Sequence, residues 1–262
     1  MVPDGGRHVE RSPGIVAEVI DHVTLRVADK AVAERFYDTV LAPLGVARAG
    51  AGDDYAEWDN DFSVAQADAD HPRTANLHVA FFAPSHDEVR AFWRAGVDAG
   101  YDDDGEPGPR PQYTPEYFGG FLRDPDGNSA EAVYIANDRR RGAIDHVWIR
   151  VADVAAARDF YQAIAPYAGF RLSDEEPGRV QFRTDGASFS FISDEQPVSE
   201  HVHIAFATAD DGAVEVFHRV ATDAGHRDNG APGERPEYHP GYYAAYVLDP
   251  DGNNVEVVNH RR

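Results

Sequence analysis

The 262-residue chain contains no cysteine, which excludes a disulfide framework and any thiolate-ligated metal site. Long apolar runs are missing as well. None approaches the roughly 20 residues that cross a bilayer as a helix, and Met1 to Gly14 lacks the apolar stretch of a signal peptide. A cytoplasmic protein is expected. Positive charge is scarce: 24 Lys and Arg stand against 46 Asp and Glu, a formal net charge of −22. Such a surface repels phosphate backbones and anionic headgroups, so neither nucleic acid nor a membrane is expected as a partner.

What the chain does have is itself, twice. Ile20-Asp21-His22-Val23 returns as Ile144-Asp145-His146-Val147, and His78-Val79-Ala80-Phe81 returns as His203-Ile204-Ala205-Phe206. Asp124-Pro125-Asp126-Gly127-Asn128 returns as Asp249-Pro250-Asp251-Gly252-Asn253, and Glu131 maps onto Glu256. Residues 76–135 laid on 201–260 without a gap share 25 identities in 60 positions, which establishes internal duplication. The polar, basic Arg139-Arg140-Arg141-Gly142 suits a link between two compact units. The expected organisation is a disordered tail over 1–17, a first domain over 18–138 and a second over 143–262.

Within the second copy, residues 144–151 read as a strand, and Asp153 stands where a helix cap belongs, ahead of 154–165. Short alternating runs at 180–183 and 188–192 flank a hairpin signal. A strand at 201–207 follows, then a helix at 212–224 that Gly225 can close. Residues 229–240 read as a Pro/Gly-rich loop, and strands at 242–248 and 254–258 end the copy. Each half therefore holds two βαβββ modules and the chain four, an α+β fold.

Two histidines and a glutamate recur at one register in both copies. These are the side chains a protein offers a divalent metal when it leaves coordination positions open. A lone histidine on a strand is usually a hydrogen-bonded residue of no special role. A glutamate on an apolar final strand, however, is costly unless paired or coordinated.

Paired βαβββ modules with His on the first strand, His on the fifth, Glu on the eighth and the Asp-Pro-Asp-Gly-Asn turn resemble the vicinal oxygen chelate superfamily. That superfamily contains glyoxalase I, extradiol dioxygenases, fosfomycin-inactivating transferases and bleomycin-binding proteins. The resemblance spans residues 20–260 and implies two tandem half-barrel domains, each with a metal inside its cup. In the second copy it implies the ligands His146, His203 and Glu256. In the first it implies His22, His78 and Glu131, with a second metal allowed there. Glyoxalase-like members add a fourth ligand; residues 188–193 contain no Glu, Gln or His for it, while in the first copy Gln66 is a candidate.

The segment from Arg235 to Gly252 resembles the extradiol dioxygenase signature through His239, Tyr246, Asp249, Pro250 and Gly252, followed by Glu256; Ala245 departs from it. The resemblance implies that Tyr246 donates to an oxygen at the metal and that His239 binds or protonates substrate. The family's separate acid-base histidine has no clear counterpart, and His201, two residues before His203, is the nearest candidate. Tyr243 and Arg235 are candidate substrate contacts, although Arg235 and its counterpart Arg110 also suit a structural role in their loops. The first copy has Thr114 and Phe121 in place of His239 and Tyr246, so the second is expected to carry the chemistry.

The leading expectation is a metal-dependent, extradiol-type dioxygenase, with Fe(II) favoured over Mn(II), Ni(II) and Zn(II), acting on a small molecule with adjacent oxygens. The alternatives are a glyoxalase-like isomerase or lyase, and a non-catalytic binding protein of the bleomycin-resistance kind with Phe182, Phe189, Phe191, Tyr242 and Tyr243 lining its pocket. The chain is expected to be a monomer or homodimer.

Overall fold

The computed structural model describes residues 20–136 and 142–261. The expected tail and most of the link between copies lie outside the described residues. The first half comprises β1 (Ile20–Val27), α1 (Lys30–Leu41), β2 (Arg48–Ala51), β3 (Tyr55–Trp58), β4 (Phe62–Gln66), β5 (His78–Phe82), α2 (His86–Asp98), β6 (Asp103–Pro109), β7 (Phe118–Arg123) and β8 (Ser129–Tyr134). The second comprises β9 (Ile144–Arg150), α3 (Val154–Ala168), β10 (Arg171–Glu176), β11 (Arg179–Arg183), β12 (Ser188–Ile192), β13 (His203–Ala207), α4 (Asp211–Asp223), β14 (Asp228–Glu234), β15 (Tyr243–Leu248) and β16 (Asn254–Asn259). This is the expected four-module α+β fold. No helix among the described residues is long and apolar enough to cross a membrane.

The local signals act as their chemistry dictates. Asp153 accepts hydrogen bonds from the amides of Ala155 and Ala156 and so starts α3. Gly225, at φ 91°, closes the turn after α4, a conformation in which a Cβ would be strained. Helix α3 runs a turn further than its pattern suggests, because Pro166 lies in its last turn, where one missing amide costs little. Strand β10 carries Arg171-Leu172-Ser173-Asp174-Glu175-Glu176 at a sheet edge, where the absence of an apolar face hides it from sequence patterning. Strand β14 occupies the start of the expected Pro/Gly loop; its broken pairing with β15 makes it an irregular edge.

The connectivity of the sheets decides where the sites fall. The described residues form two eight-stranded sheets, ordered β14-β15-β16-β13-β1-β4-β3-β2 and β10-β11-β12-β9-β5-β8-β7-β6. Each joins one module of the first half to one of the second, through the antiparallel pairs β1/β13 and β5/β9. The buried apolar side chains of both halves form one continuous core, within which the two modules of each half pack on one another. Phe62 and Phe81, from the two modules of the first half, meet edge to face at 4.9 Å, and Phe170 and Phe206 do the same work in the second at 4.6 Å. Helices α1 and α2 pack together, as do α3 and α4. The copies are thus units of packing, while the concave faces are shared between them.

The Asp-Pro-Asp-Gly-Asn turns tie modules together within each half. Asp124 accepts from the amides of Asp126 and Asn128 and from the Tyr37 hydroxyl on α1; Asp249 makes the equivalent bond with Tyr161 on α3. Between the halves, the buried Asp61 accepts from the amides of Ala143 and Ile144 just before β9. Gly142 allows that approach: a Cβ there would stand 2.0 Å from the carboxylate.

Burial pushes the Asp61 carboxyl up to about 7 from its ordinary 3.8, with Asp59 adding repulsion and the two amides opposing. Between those values the folded chain keeps a proton that the unfolded chain has lost, so stability falls as pH rises through this window. In Asp61→Asn that fall should be absent. Thermal melts at either end of the window check it: an unchanged pH slope in the variant would assign the slope to other groups.

Candidate metal centre

Strand alternation sends Val23, Leu25 and Val27 of β1 into the core and His22, Thr24 and Arg26 into a concave cup. Across the β1/β13 pair, Thr24 stands opposite His203. Across β13/β16, Ala205 stands beside Glu256. His22 Nε2 therefore lies 3.0 Å from His203 Nε2, and Glu256 Oε2 lies 3.6 Å and 3.2 Å from these two nitrogens. In the other sheet Glu131 Oε2 lies 3.0 Å from His78 Nε2 and 3.5 Å from His146 Nε2. Donors about 3.0 Å apart are what an ion with bonds of roughly 2.1 Å at right angles would span. Each set therefore fits one divalent ion, with three donors on one side.

The six residues expected as ligands do gather in two sets of three, but the expected grouping within copies is corrected. His146 does not join His203 and Glu256, and His22 does not join His78 and Glu131. The sets are His22, His203 and Glu256, and His78, Glu131 and His146. The reason is topological: one cup is built from the first and fourth modules and the other from the second and third, so the first-strand histidine of each triad comes from the copy opposite to its two partners.

A shell of hydrogen bonds aims the donors. Asp21 Oδ2 accepts from His22 Nδ1 at 2.8 Å, and Asp145 Oδ1 accepts from His146 Nδ1 at 2.8 Å, so both rings turn a free Nε2 to the cup. His78 Nδ1 donates to Ser129 Oγ at 3.1 Å, and Ser129 donates to Asp104. In the other cup Asn254 and Asn229 occupy the corresponding places beside His203. The Tyr242 hydroxyl donates to Glu256 Oε1 at 2.6 Å, and Tyr117 to Glu131 Oε1 at 2.7 Å, leaving each Oε2 to face the imidazoles.

Electrostatics follow from that geometry. Burial opposes the charged form of His22, but the bond to Asp21 and the Glu256 carboxylate outweigh it and raise the ring to about 9. His146 is raised to about 9 by Asp145 and Glu131 against the same burial. Burial disfavours the Glu256 charge too, yet His203 and His22 hold the carboxyl below its ordinary range. Without an ion, protons on His22 and His146 offset the charge of these buried carboxylates; a bound cation would replace them.

The two cups differ in room. His22, His203 and Glu256 line a cavity of about 2670 Å³, and no member of the other triad lines it. Trp148 replaces Thr24 in the second cup, with its ring centroid 5.7 Å from that of His78 and 6.0 Å from that of His146; Tyr113 packs edge-on against it. Phe121 adds a further ring near His78. The open cup instead has Tyr246, beside Glu256 in the β15/β16 pair, whose hydroxyl is buried without a hydrogen-bond partner among the described residues. Burial and the Glu256 charge raise the Tyr246 hydroxyl far above the ordinary range, so it remains a proton donor.

The remaining sequence candidates fare unequally. His239 lines the cavity, with Nδ1 at 2.9 Å from the Pro240 carbonyl and Nε2 at 2.8 Å from His260 Nδ1. His201 lies on the cavity rim but is exposed, ahead of β13 rather than in it, with φ 55°, so the alternation that would align it with His203 does not apply. Tyr243 is opposite in parity to Tyr246; it faces α4, where its hydroxyl donates to Glu215, and is not a cup residue. Arg235 spends its guanidinium on the carbonyls of Ala231 and Glu234 and lies over the Tyr246 ring, the structural role shared by Arg110. Gln66 bonds Lys30, Val27, Ala28 and Ala67 and supplies no ligand. Phe182, Phe189 and Phe191 are core residues around Tyr161.

Sequence reasoning missed the residues that support the donors. Asp21 and Asp145 were visible in the repeated Ile-Asp-His-Val, and Tyr117 and Tyr242 each precede their glutamate by 14 residues, so duplication carried both signals. Glu57 of β3, opposite Ser63 and in the cavity lining, had none.

The sequence profile of the Glyoxalase/Bleomycin resistance protein/Dioxygenase superfamily matches residues 19–132 and 143–257. Glyoxalase I from Zea mays has a similar structure, with a TM-score of 0.66 at 18% identity over 93% of both chains. A Bacillus subtilis subsp. subtilis structure described as a "putative dioxygenase" has a TM-score of 0.66 at 14% identity, covering 94% of this chain and 86% of its own. Both likenesses are of fold. Among curated proteins no sequence matches.

Proposed function

Because this chain belongs to the glyoxalase/bleomycin resistance protein/dioxygenase superfamily, we propose that its open cup is the working site of a metal-dependent enzyme, an extradiol-type dioxygenase. The observation that carries this reading is a triad that lines a large cavity, beside a tyrosine hydroxyl with no hydrogen-bond partner among the described residues. Two imidazoles and one carboxylate on one side of an ion leave adjacent positions free, the donor set of non-haem Fe(II) oxygenases. Fe(II) is favoured over Mn(II), Ni(II) and Zn(II). When bound, the ion would hold two adjacent substrate oxygens, acidify a hydroxyl and admit dioxygen.

The chain's residues supply the rest. His22, His203 and Glu256 would hold the ion; Asp21 and Tyr242 keep a ring and a carboxylate in the orientation that allows it. Tyr246 donates its free hydroxyl proton to a substrate oxygen, which answers its missing partner. His239, at the rim, gives or takes the proton that the substrate exchanges. The other triad is proposed as a second metal site without room for substrate, since Trp148 stands in its cup.

A glyoxalase-like isomerase or lyase is the second reading, favoured by one observation. Glu57 puts another carboxylate on the cavity wall, close enough to raise His22, as a fourth ligand or base would require. The sequestering alternative loses Phe182, Phe189 and Phe191 to the core and Tyr243 to α4, and keeps Tyr242 on the cavity wall.

Metal analysis of protein purified without added metal, followed by an oxygen electrode with catechols, enediols and 2-oxoaldehyde adducts, tests the choice. Iron with oxygen uptake supports the dioxygenase; oxygen-independent turnover of an oxoaldehyde adduct replaces it with the second reading. The double change His239→Thr with Tyr246→Phe copies the other half's residues and should lower turnover by roughly a hundredfold or more, with metal content unchanged. Retained turnover would remove both residues from the chemistry.

A further inference from the structure

A line of polar groups leaves the open triad and has no counterpart in the other cup. Asp21 uses Oδ2 for His22 and Oδ1 for His260, whose Nε2 lies 2.9 Å away. His260 Nδ1 lies 2.8 Å from His239 Nε2, and His239 Nδ1 lies 2.9 Å from the Pro240 carbonyl. The two rings are inclined by 17° with centroids 5.1 Å apart, so they meet edge to edge in nearly one plane, as an N–H···N bond requires. At the repeat offset Thr114 stands for His239 and Ile135 for His260, so Asp145 has no such histidine to serve.

Counting hydrogens fixes the charge. The Pro240 carbonyl and the Asp21 carboxylate only accept, so His239 Nδ1 and His260 Nε2 must both carry hydrogen. The contact between the rings needs a third hydrogen. Two neutral imidazoles have two.

We propose that His239 and His260 together hold one proton beyond the neutral pair, with Asp21 as counter-ion, and that His260 is thereby the positioning residue that arms His239. Loss of the hydrogen on His239 Nδ1, the exposed end of the chain, leaves two neutral rings and both inner bonds intact. The stored proton is thus set to leave toward the cavity and to be replaced from it. The groups facing the pair agree with this. Asp21 approaches from β1; Tyr242 lies edge-on to both rings, 5.2 Å away; Glu237 and Tyr238 lie in the same loop as His239. Arg261 turns its guanidinium to Asp211 and Glu234, while His22 shares Asp21 with the pair through the other carboxylate oxygen.

The proton count stands independently of the proposed reaction; its use in turnover rests on the oxygenase reading. The test is ¹⁵N imidazole NMR of the metal-free, substrate-free full chain with labelled histidine, from neutral to alkaline pH. Near neutrality three of the four ring nitrogens of His239 and His260 should be protonated, and one proton should leave in a single shared step. In His260→Ile, His239 should become an ordinary solitary imidazole. In His260→Asn, examined if the isoleucine variant folds poorly, the shared step should likewise be gone. Two neutral rings at neutral pH in the unaltered protein, or a His239 titration unchanged by either substitution, overturns the proposal. Neither result depends on the identity of the metal or substrate, so a wrong reaction class leaves this test decisive.

Discussion

Glu256→Gln should empty the open cup of its metal, weakening binding by roughly a hundredfold or more and abolishing turnover. Glutamine keeps the volume and an amide oxygen for the Tyr242 hydroxyl, so the loop stays in place. What it removes is the charge that offsets a divalent cation in a residue only 1% exposed. The cross-copy arrangement sharpens the expectation. His22→Ala should remove the same ion as Glu256→Gln, while His146→Ala and Glu131→Gln should remove the other. Metal stoichiometry of the four variants, singly and in pairs, checks this. If His22→Ala and Glu256→Gln deplete different ions, the triads fall within copies after all.

The ligand types, the module order and the turn chemistry were legible because each is a short-range pattern repeated twice. Asp21-His22 and Asp145-His146 are neighbours in sequence and remain neighbours in the site. The grouping of the triads was not legible. It depends on whether the edge of β1 pairs with β5 of its own half or with β13 of the other, and β5 and β13 are near-identical apolar strands that each begin with histidine. Parity errors account for Tyr243, one residue out of phase with the cup, and a left-handed residue accounts for His201. His260 was invisible for another reason. It occurs in one copy only, and Ile135 stands in the other, so the comparison that revealed everything else hid it.

Separating the halves should destroy both metal sites in the monomer while sparing the packing between the two modules of each half. A fragment over 18–138 retains the α1/α2 packing, the Phe62–Phe81 contact and the Tyr37–Asp124 bond. It loses β13 and β9, the partners of β1 and β5, and so exposes two apolar strand edges in the middle of what were continuous sheets. Such a fragment is expected to pair with itself, β1 against β5 of a second copy, which would bring His22 of one to His78 and Glu131 of the other. Each half alone should therefore be dimeric, with metal bound in the dimer only. Equimolar mixing after unfolding and refolding together should restore a one-to-one complex containing both original triads. Light scattering and metal analysis of the separate and mixed halves decide it. A half that remains monomeric and still binds one ion with His22, His78 and Glu131 would return each site to a single copy, and with it the open cup to one domain.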